Sequence, residues 1–265
     1  ASLPESIYGT VGGNTSCVEI KDSQGNIFLL DVGSGIREYA KNGEHPQNKT
    51  YHIFLSHFHW DHIQGLPFFD EAYREDCNLN FYSSFSDVEN ILSKQMDLPY
   101  FPVQYDTSFN SNITFNYIKP EESFKVGNCT ITSKKMSHPG GSYSYIFEEN
   151  GKKVIYATDV ELSDKEKLDT ETNIKFFKNA DSIIIDTQYT VEEALKKQNW
   201  GHSDFSDVVD FANYWNIKNV YFFHHEPTYD DKKLYSILQS ARWYAQYVVN
   251  SDMKINLARE GYSFS

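Results

Sequence analysis

The sequence predicts an α/β protein in which two mixed β-sheets pack together with helices outside. Two observations predict this. Short runs rich in apolar, β-branched and aromatic residues, bounded by turn residues, recur in both halves of the chain, and helical patterns interrupt those runs twice. No Pro/Gly/Ser-rich linker divides the 265 residues, a length suited to one sizeable core, so residues 1–265 are expected to form a single domain.

Gly12-Gly13-Asn14 is a turn able to take positive φ and feeds a strand over 15–21. Ser23-Gln24-Gly25-Asn26 reads as a hairpin turn into a strand over 27–30, and Asp31-Val32-Gly33-Ser34-Gly35 ends that strand before a helix over 36–41. A buried strand is expected over 51–55 and the start of a covering helix over 63–69, ended by Leu66-Pro67-Phe68-Phe69. Residues 70–111 hold a strand candidate at 79–82 and a helix candidate at 87–96. They also hold Leu98-Pro99-Tyr100-Phe101-Pro102-Val103, a semi-rigid apolar segment that reads either as packing or as a lid or pocket wall.

From residue 112 the pattern becomes β again, with strands at 113–117, 129–135, 144–148 and 153–157 and a hairpin turn at Glu149-Asn150-Gly151. The second half then alternates. A helical or loop segment over 163–178 leads to a strand at 182–186, helices at 191–197 and 203–215, a strand at 219–223, a helix at 232–247 and a strand at 254–258. Ser203 is a candidate N-cap for the helix that follows it.

His57-Phe58-His59-Trp60-Asp61-His62 follows the apolar run Ile53-Phe54-Leu55. Four ligand-type side chains within six positions at a strand end point to a metal site. His57 and His59, two apart in extended backbone, point the same way and can grip one ion; Asp61 and His62 lie beyond the turn and can reach a second. His138 and Asp159 also follow strand ends, and Asp31 is either a turn residue or the orienter of a ligating histidine. His202 precedes Ser203, and His224 and His225 end the strand at 219–223.

The 24 Lys and Arg against 37 Asp and Glu give a net charge of −13, so an extended nucleic acid would bind against the overall field while a small anion at a local positive centre would not. Cys17, Cys77 and Cys129 are odd in number and lack a C-x-x-C spacing, so neither a disulfide framework nor a zinc knuckle is expected. With no apolar run of membrane-spanning length and no signal-peptide pattern, the expectation is a cytoplasmic protein with no membrane partner. The aromatic fraction of 16% is compatible with a homodimer as well as with an aromatic core.

The His57–His62 block resembles the signature of the metallo-β-lactamase superfamily, and the other blocks occur in that family's order. The resemblance implies the αββα metallo-β-lactamase fold with its site along one edge. The family ordinarily places a short strand before the block seen here as Gly12-Gly13-Asn14-Thr15-Ser16. Only Ser2-Leu3-Pro4-Glu5 and a few neighbours stand before it, so a leading strand is expected to be missing from the sequence.

The ligand set follows from the resemblance: one ion on His57, His59 and His138, a second on Asp61, His62 and His224, and Asp159 bridging. Two divalent ions are implied, zinc by the nitrogen-rich set, with manganese or iron tolerated. A hydroxide shared by the two ions is the expected nucleophile. Asp159 stands where the true β-lactamases of the superfamily place a Cys, and His59 where its flavodiiron oxidoreductases place Glu.

Gly201-His202-Ser203 looks like the His-Ser-Thr block of tRNase Z and related phosphodiesterases. That makes His202 the expected catalytic, non-ligand histidine, with Asp61 acting both as ligand and in catalysis. His224-x-x-Pro227-x-Tyr229 resembles the terminal pattern of that branch, which makes His224 the ligand and sets His225 behind it. The basic arm with which tRNase Z enzymes hold tRNA does not stand out. The expected substrate is therefore a small phosphodiester such as a cyclic nucleotide, with Tyr100 and Phe101 able to stack on a base. Thioester or lactone hydrolysis on the same platform, and a metal-dependent nucleotide-binding protein without catalysis, are the competing readings.

Overall fold

The structure, a computed structural model, describes residues 9–42 and 49–264. Ser2-Leu3-Pro4-Glu5, from which a missing leading strand is expected, lies outside the described residues. The described chain divides into two compact units, residues 14–122, and residues 123–264 with 9–13.

The first unit is built on one mixed sheet. Strands β1 (Val18–Lys21) and β2 (Ile27–Leu30) form the antiparallel hairpin, and β3 (Thr50–Phe54), β4 (Asn78–Ser83) and β5 (Asn112–Tyr117) add in parallel in that order. Strand β1 begins later than expected because Ser16 and Thr15 use their carbonyls on the amides of Gly33 and Gly35, at 2.8 and 3.2 Å. Helices α1 (Gly35–Asn42), α2 (Trp60–Ile63), α3 (Val88–Lys94) and α4 (Tyr105–Ser108) accompany the sheet. Leu29, Ile53, Leu55, Leu79 and Phe81 form a core with Ile36, Ile63, Leu66 and Leu92.

The covering helix expected over 63–69 is instead α2 followed by two single turns, Leu66–Phe68 and Asp70–Tyr73. The physical reason lies at Gly65, whose amide donates to Val32 O at 2.9 Å rather than continuing α2. An added Cβ there would lie 2.0 Å from Gly33 O, so only glycine permits this backbone approach.

The second unit carries a sheet ordered β12-β11-β10-β9-β8-β7-β6. Strands β6 (Ser123–Val126), β7 (Cys129–Met136), β8 (Ser142–Glu149) and β9 (Lys152–Ala157) are antiparallel neighbours. Strands β10 (Ser182–Asp186), β11 (Asn219–Phe223) and β12 (Lys254–Leu257) join β9 in parallel. Strand β6 is a finding the sequence pattern did not give; it is short and pairs locally with β7.

Helices α5 (Glu171–Phe177), α6 (Val191–Lys196), α7 (Phe205–Tyr214) and α8 (Asp231–Tyr244) complete this unit. Ile155, Ile183, Ile185, Val220 and Phe222 pack with Val208, Val209 and Phe211 of α7 and Leu234, Ile237 and Leu238 of α8. The N-cap of α7 is Asp204, which accepts from the amides of Ser206 and Asp207, and not Ser203. The Ser203 hydroxyl is already committed, donating to Val160 O at 2.6 Å and accepting from Leu162 N at 3.0 Å.

Two mixed sheets with their helices agree with the expected fold class. No helix among the described residues is long and apolar enough to cross a membrane.

Candidate metal centre

In each unit the candidate ligands follow the carboxyl ends of strands that run in one direction, where open α/β sheets present their loops. In the first unit Asp31 follows β2 and Ser56 and His57 follow β3. Asp31 is fully buried, yet its carboxylate meets three donors. Ser56 N and Ser56 Oγ donate to it, both at 2.7 Å, and His62 Nδ1 approaches to 2.8 Å.

This network sets which nitrogen His57 and His62 offer. Facing a carboxylate, His62 Nδ1 carries the proton, so the lone pair is on Nε2. The single Ser56 hydroxyl hydrogen goes to Asp31, so at the 3.0 Å contact Ser56 Oγ accepts from His57 Nδ1–H, and His57 also offers Nε2. The His57 ring lies 4.6 Å from that of His59 and 4.2 Å from that of His62. Asp61 Oδ2 stands 3.4 Å from His62 Nε2. The structure thus brings His57, His59, Asp61 and His62 together and gives Asp31 the orienting role rather than that of a turn residue.

In the second unit β7, β9, β10 and β11 run in one direction, and their carboxyl ends deliver His138, Asp159, Asp186 and His224. Asp159 Oδ2 is 3.6 Å from His138 Nε2, and Asp159 Oδ1 is 3.3 Å from His224 Nε2. His138 Nδ1–H donates to Gly201 O at 2.9 Å, again leaving Nε2 as the donor atom toward a metal. Gly201 has φ +91°, and an added Cβ would lie 2.1 Å from His138 Nδ1, so this turn requires glycine. Asp31, Asp159 and His224 also adopt left-handed backbone, at φ 60°, 48° and 56°, a strain that strand-end functional residues carry.

His202 sits beside these residues and shares their pattern, with Nδ1 held by an acceptor and Nε2 left open. Its Nδ1 is 2.6 Å from Asp186 Oδ2, and its ring stacks on that of His224 at 5.1 Å. A ligand atom of His202 lies within 4.8 Å of one from Asp159 and one from His224. His225 turns elsewhere: it bonds the Ala258 backbone, and burial lowers its imidazole to about 4. Tyr229, from the same terminal pattern, donates its hydroxyl to Glu193, the capping-box carboxylate of α6, and so ties the loop after His224 to that helix.

Sequence reasoning missed Ser56 and Asp186. A hydroxyl next to the first histidine and an acid at the end of a fully buried strand are signals, but neither names its partner. Tyr100 is 82% exposed, and Phe101 packs edge-on to Phe68 at 5.7 Å. The donor set fits divalent metal, since imidazoles with fixed Nδ1 protons and convergent carboxylates are the oriented ligands such an ion takes.

Comparison with known proteins supplies the family context. The description "Beta-lactamase superfamily domain" matches residues 26–225. A ribonuclease Z from Methanocaldococcus jannaschii is 26% identical over 221 residues, covering 78% of this chain and 66% of that protein. Among solved structures, the metallo-β-lactamase fold protein YhfI from Bacillus subtilis superposes with TM-score 0.71 at 20% identity, covering 96% of this chain and 93% of that one. The short form of human tRNase Z superposes with TM-score 0.67 at 16% identity, covering 98% and 94%.

Proposed function

This chain belongs to the metallo-β-lactamase superfamily and is a metal-dependent hydrolase, and from that premise we propose that it cleaves small phosphodiesters at a centre for two divalent ions. The observation that carries the reading is Asp159, whose two oxygens each face a different imidazole Nε2. A carboxylate so placed suits the bridging of two ions.

His57, His59 and His138 would hold one ion, and Asp61, His62 and His224 the other. The imidazole-rich set favours zinc, with manganese or iron tolerated. Divalent ions held there supply Lewis acidity toward a phosphoryl oxygen and lower the pKa of a water to about 7 in favourable cases. The protein's own part in the chemistry falls to His202. Asp186 fixes its Nδ1, which leaves Nε2 to hold a proton at the leaving oxygen and hand it over.

The net charge of −13 favours a compact anionic substrate such as a cyclic nucleotide over an extended polyanion. The relative named ribonuclease Z supports a second reading, cleavage of a structured RNA. Hydrolysis of bis(p-nitrophenyl) phosphate by protein of known metal content, before and after chelation and metal restoration, tests the proposal. Activity that vanishes and returns with two metals per chain is expected. Two bound metals with no phosphodiester cleavage would sink it. A cyclic nucleotide and a precursor tRNA, compared at equal concentration, then separate the two readings.

A further inference from the structure

We propose that Glu161 is a positioning residue that locks the loop presenting His202, an inference that rests on the role given to His202 above. Asn199 has φ 65° and Gly201 φ 91°, and this left-handed turn aims both amides at one point. Successive N–H groups converging in this way form a concavity that binds an anion. Here the anion is internal: Asn199 N donates to Glu161 Oε1 and Gly201 N to Glu161 Oε2, both at 2.9 Å.

Glu161 sits where three loops meet. Its own amide donates to Ser137 O at 2.9 Å, beside His138. The residues on either side of it are pinned to the His202 loop by Ser203, through Val160 O at 2.6 Å and Leu162 N at 3.0 Å. Asp159 lies two residues upstream. One carboxylate therefore sets the turn from which Gly201 O reaches His138 and from which His202 enters the site.

The geometry separates two jobs. Asp186 orients the His202 ring through Nδ1, whereas Glu161 sets the backbone that carries it. A carboxylate is required because both partners are donors. Glu161→Gln replaces one acceptor oxygen with an NH2 group that opposes an amide N–H.

The test uses the full-length, metal-loaded protein and four forms: wild type, Glu161→Gln, His202→Ala and the double variant. With bis(p-nitrophenyl) phosphate at saturating metal, Glu161→Gln should lower kcat about 10- to 100-fold, with KM within about twofold. In the His202→Ala background the same change should cost less than about twofold, because a residue that acts through His202 has nothing left to position. Equal losses in both backgrounds would overturn the proposal.

Amide hydrogen exchange read on peptides covering 199–203 is independent of substrate. Exchange there should accelerate in Glu161→Gln while β10 and α7 stay protected. Unchanged exchange at 199–203 refutes the positioning role even if wild type cleaves no phosphodiester; inactivity of the wild type alone refutes only the phosphodiesterase reading. Should Glu161→Gln fold poorly, Glu161→Asp, which keeps both acceptor oxygens, should recover kcat and the exchange protection at least in part. Wild-type exchange at 199–203 as fast as that of an exposed loop would also refute the proposal.

Discussion

Within residues 56–62 the chain gathers three imidazoles and a carboxylate by continuing along itself, and one buried acid, Asp31, holds two of the rings in place. The second unit uses no contiguous motif. His138, Asp159, His202 and His224 come from four loops, brought together because strands β7, β9 and β11 end on the same edge and α7 begins there. Their support is divided as well: Gly201 O holds His138, and Asp186 holds His202. A ligand group built along one strand end concentrates its dependence on one residue. A group built across a sheet edge spreads it over backbone and several side chains.

The sharpest way to break the comparison is at the two supporting acids, Asp186 and Asp31. Asp186→Asn should lower kcat about 10²- to 10⁴-fold, the range of a lost general acid, with metal content unchanged. Steady-state kinetics beside metal analysis checks this, and a loss of metal would instead make His202 a ligand. Asp31→Asn should act on the metal itself. An amide cannot accept from Ser56 N, Ser56 Oγ and His62 Nδ1 at once, so metal affinity should fall about 10- to 100-fold in a competition with a chromophoric chelator.

Ser56→Ala sharpens the contrast further. It removes only the hydroxyl between His57 and Asp31, a loss of about 1 kcal/mol, so a drop in metal affinity of about fivefold is expected in the same competition. An unchanged affinity would mean that His57 is oriented by its ring neighbours alone.

The smallest effect lies away from the ligands, at Asp207 in the first turn of α7. Burial first, and the charge of Asp204 second, push its carboxyl from 3.8 to about 6. Because the folded state holds this proton more tightly than the unfolded chain, the stability it contributes is full below pH 3.8 and is lost as pH rises through about 6. Asp207→Asn keeps the position neutral at every pH. Discounted for partial exposure, it should stabilise by roughly 1 kcal/mol at pH 7.5, about 2–4 °C in Tm. The gain should shrink toward pH 4.5 in thermal melts, and a gain independent of pH would assign the effect to something other than this ionisation.

Much of the fold was legible in sequence because strand and helix patterns are local. The strands Ser182–Asp186 and Asn219–Phe223 fall where expected, since fully apolar runs between turn residues leave little choice. The pattern over 63–69 reads as one helix because the carbonyl that captures the Gly65 amide belongs to Val32, far back in the chain. Ser203 reads as a candidate cap because its hydroxyl partners, Val160 and Leu162, are also distant in sequence.

The residue types and their spacing by themselves determined a candidate metal-ligand motif at His57, His59, Asp61 and His62, because four donors within six positions need no fold to bring them near one another. Only the tertiary structure decided which nitrogen His57, His62 and His138 offer. That depends on whether Nδ1 meets the Ser56 hydroxyl, the Asp31 carboxylate or the Gly201 carbonyl. It also decided that Asp159 faces two imidazoles and that Asp186 and Glu161 serve His202. Hydrogen bonds and strand register join residues across long stretches of chain, and a linear pattern carries no record of which distant acceptor a donor will find.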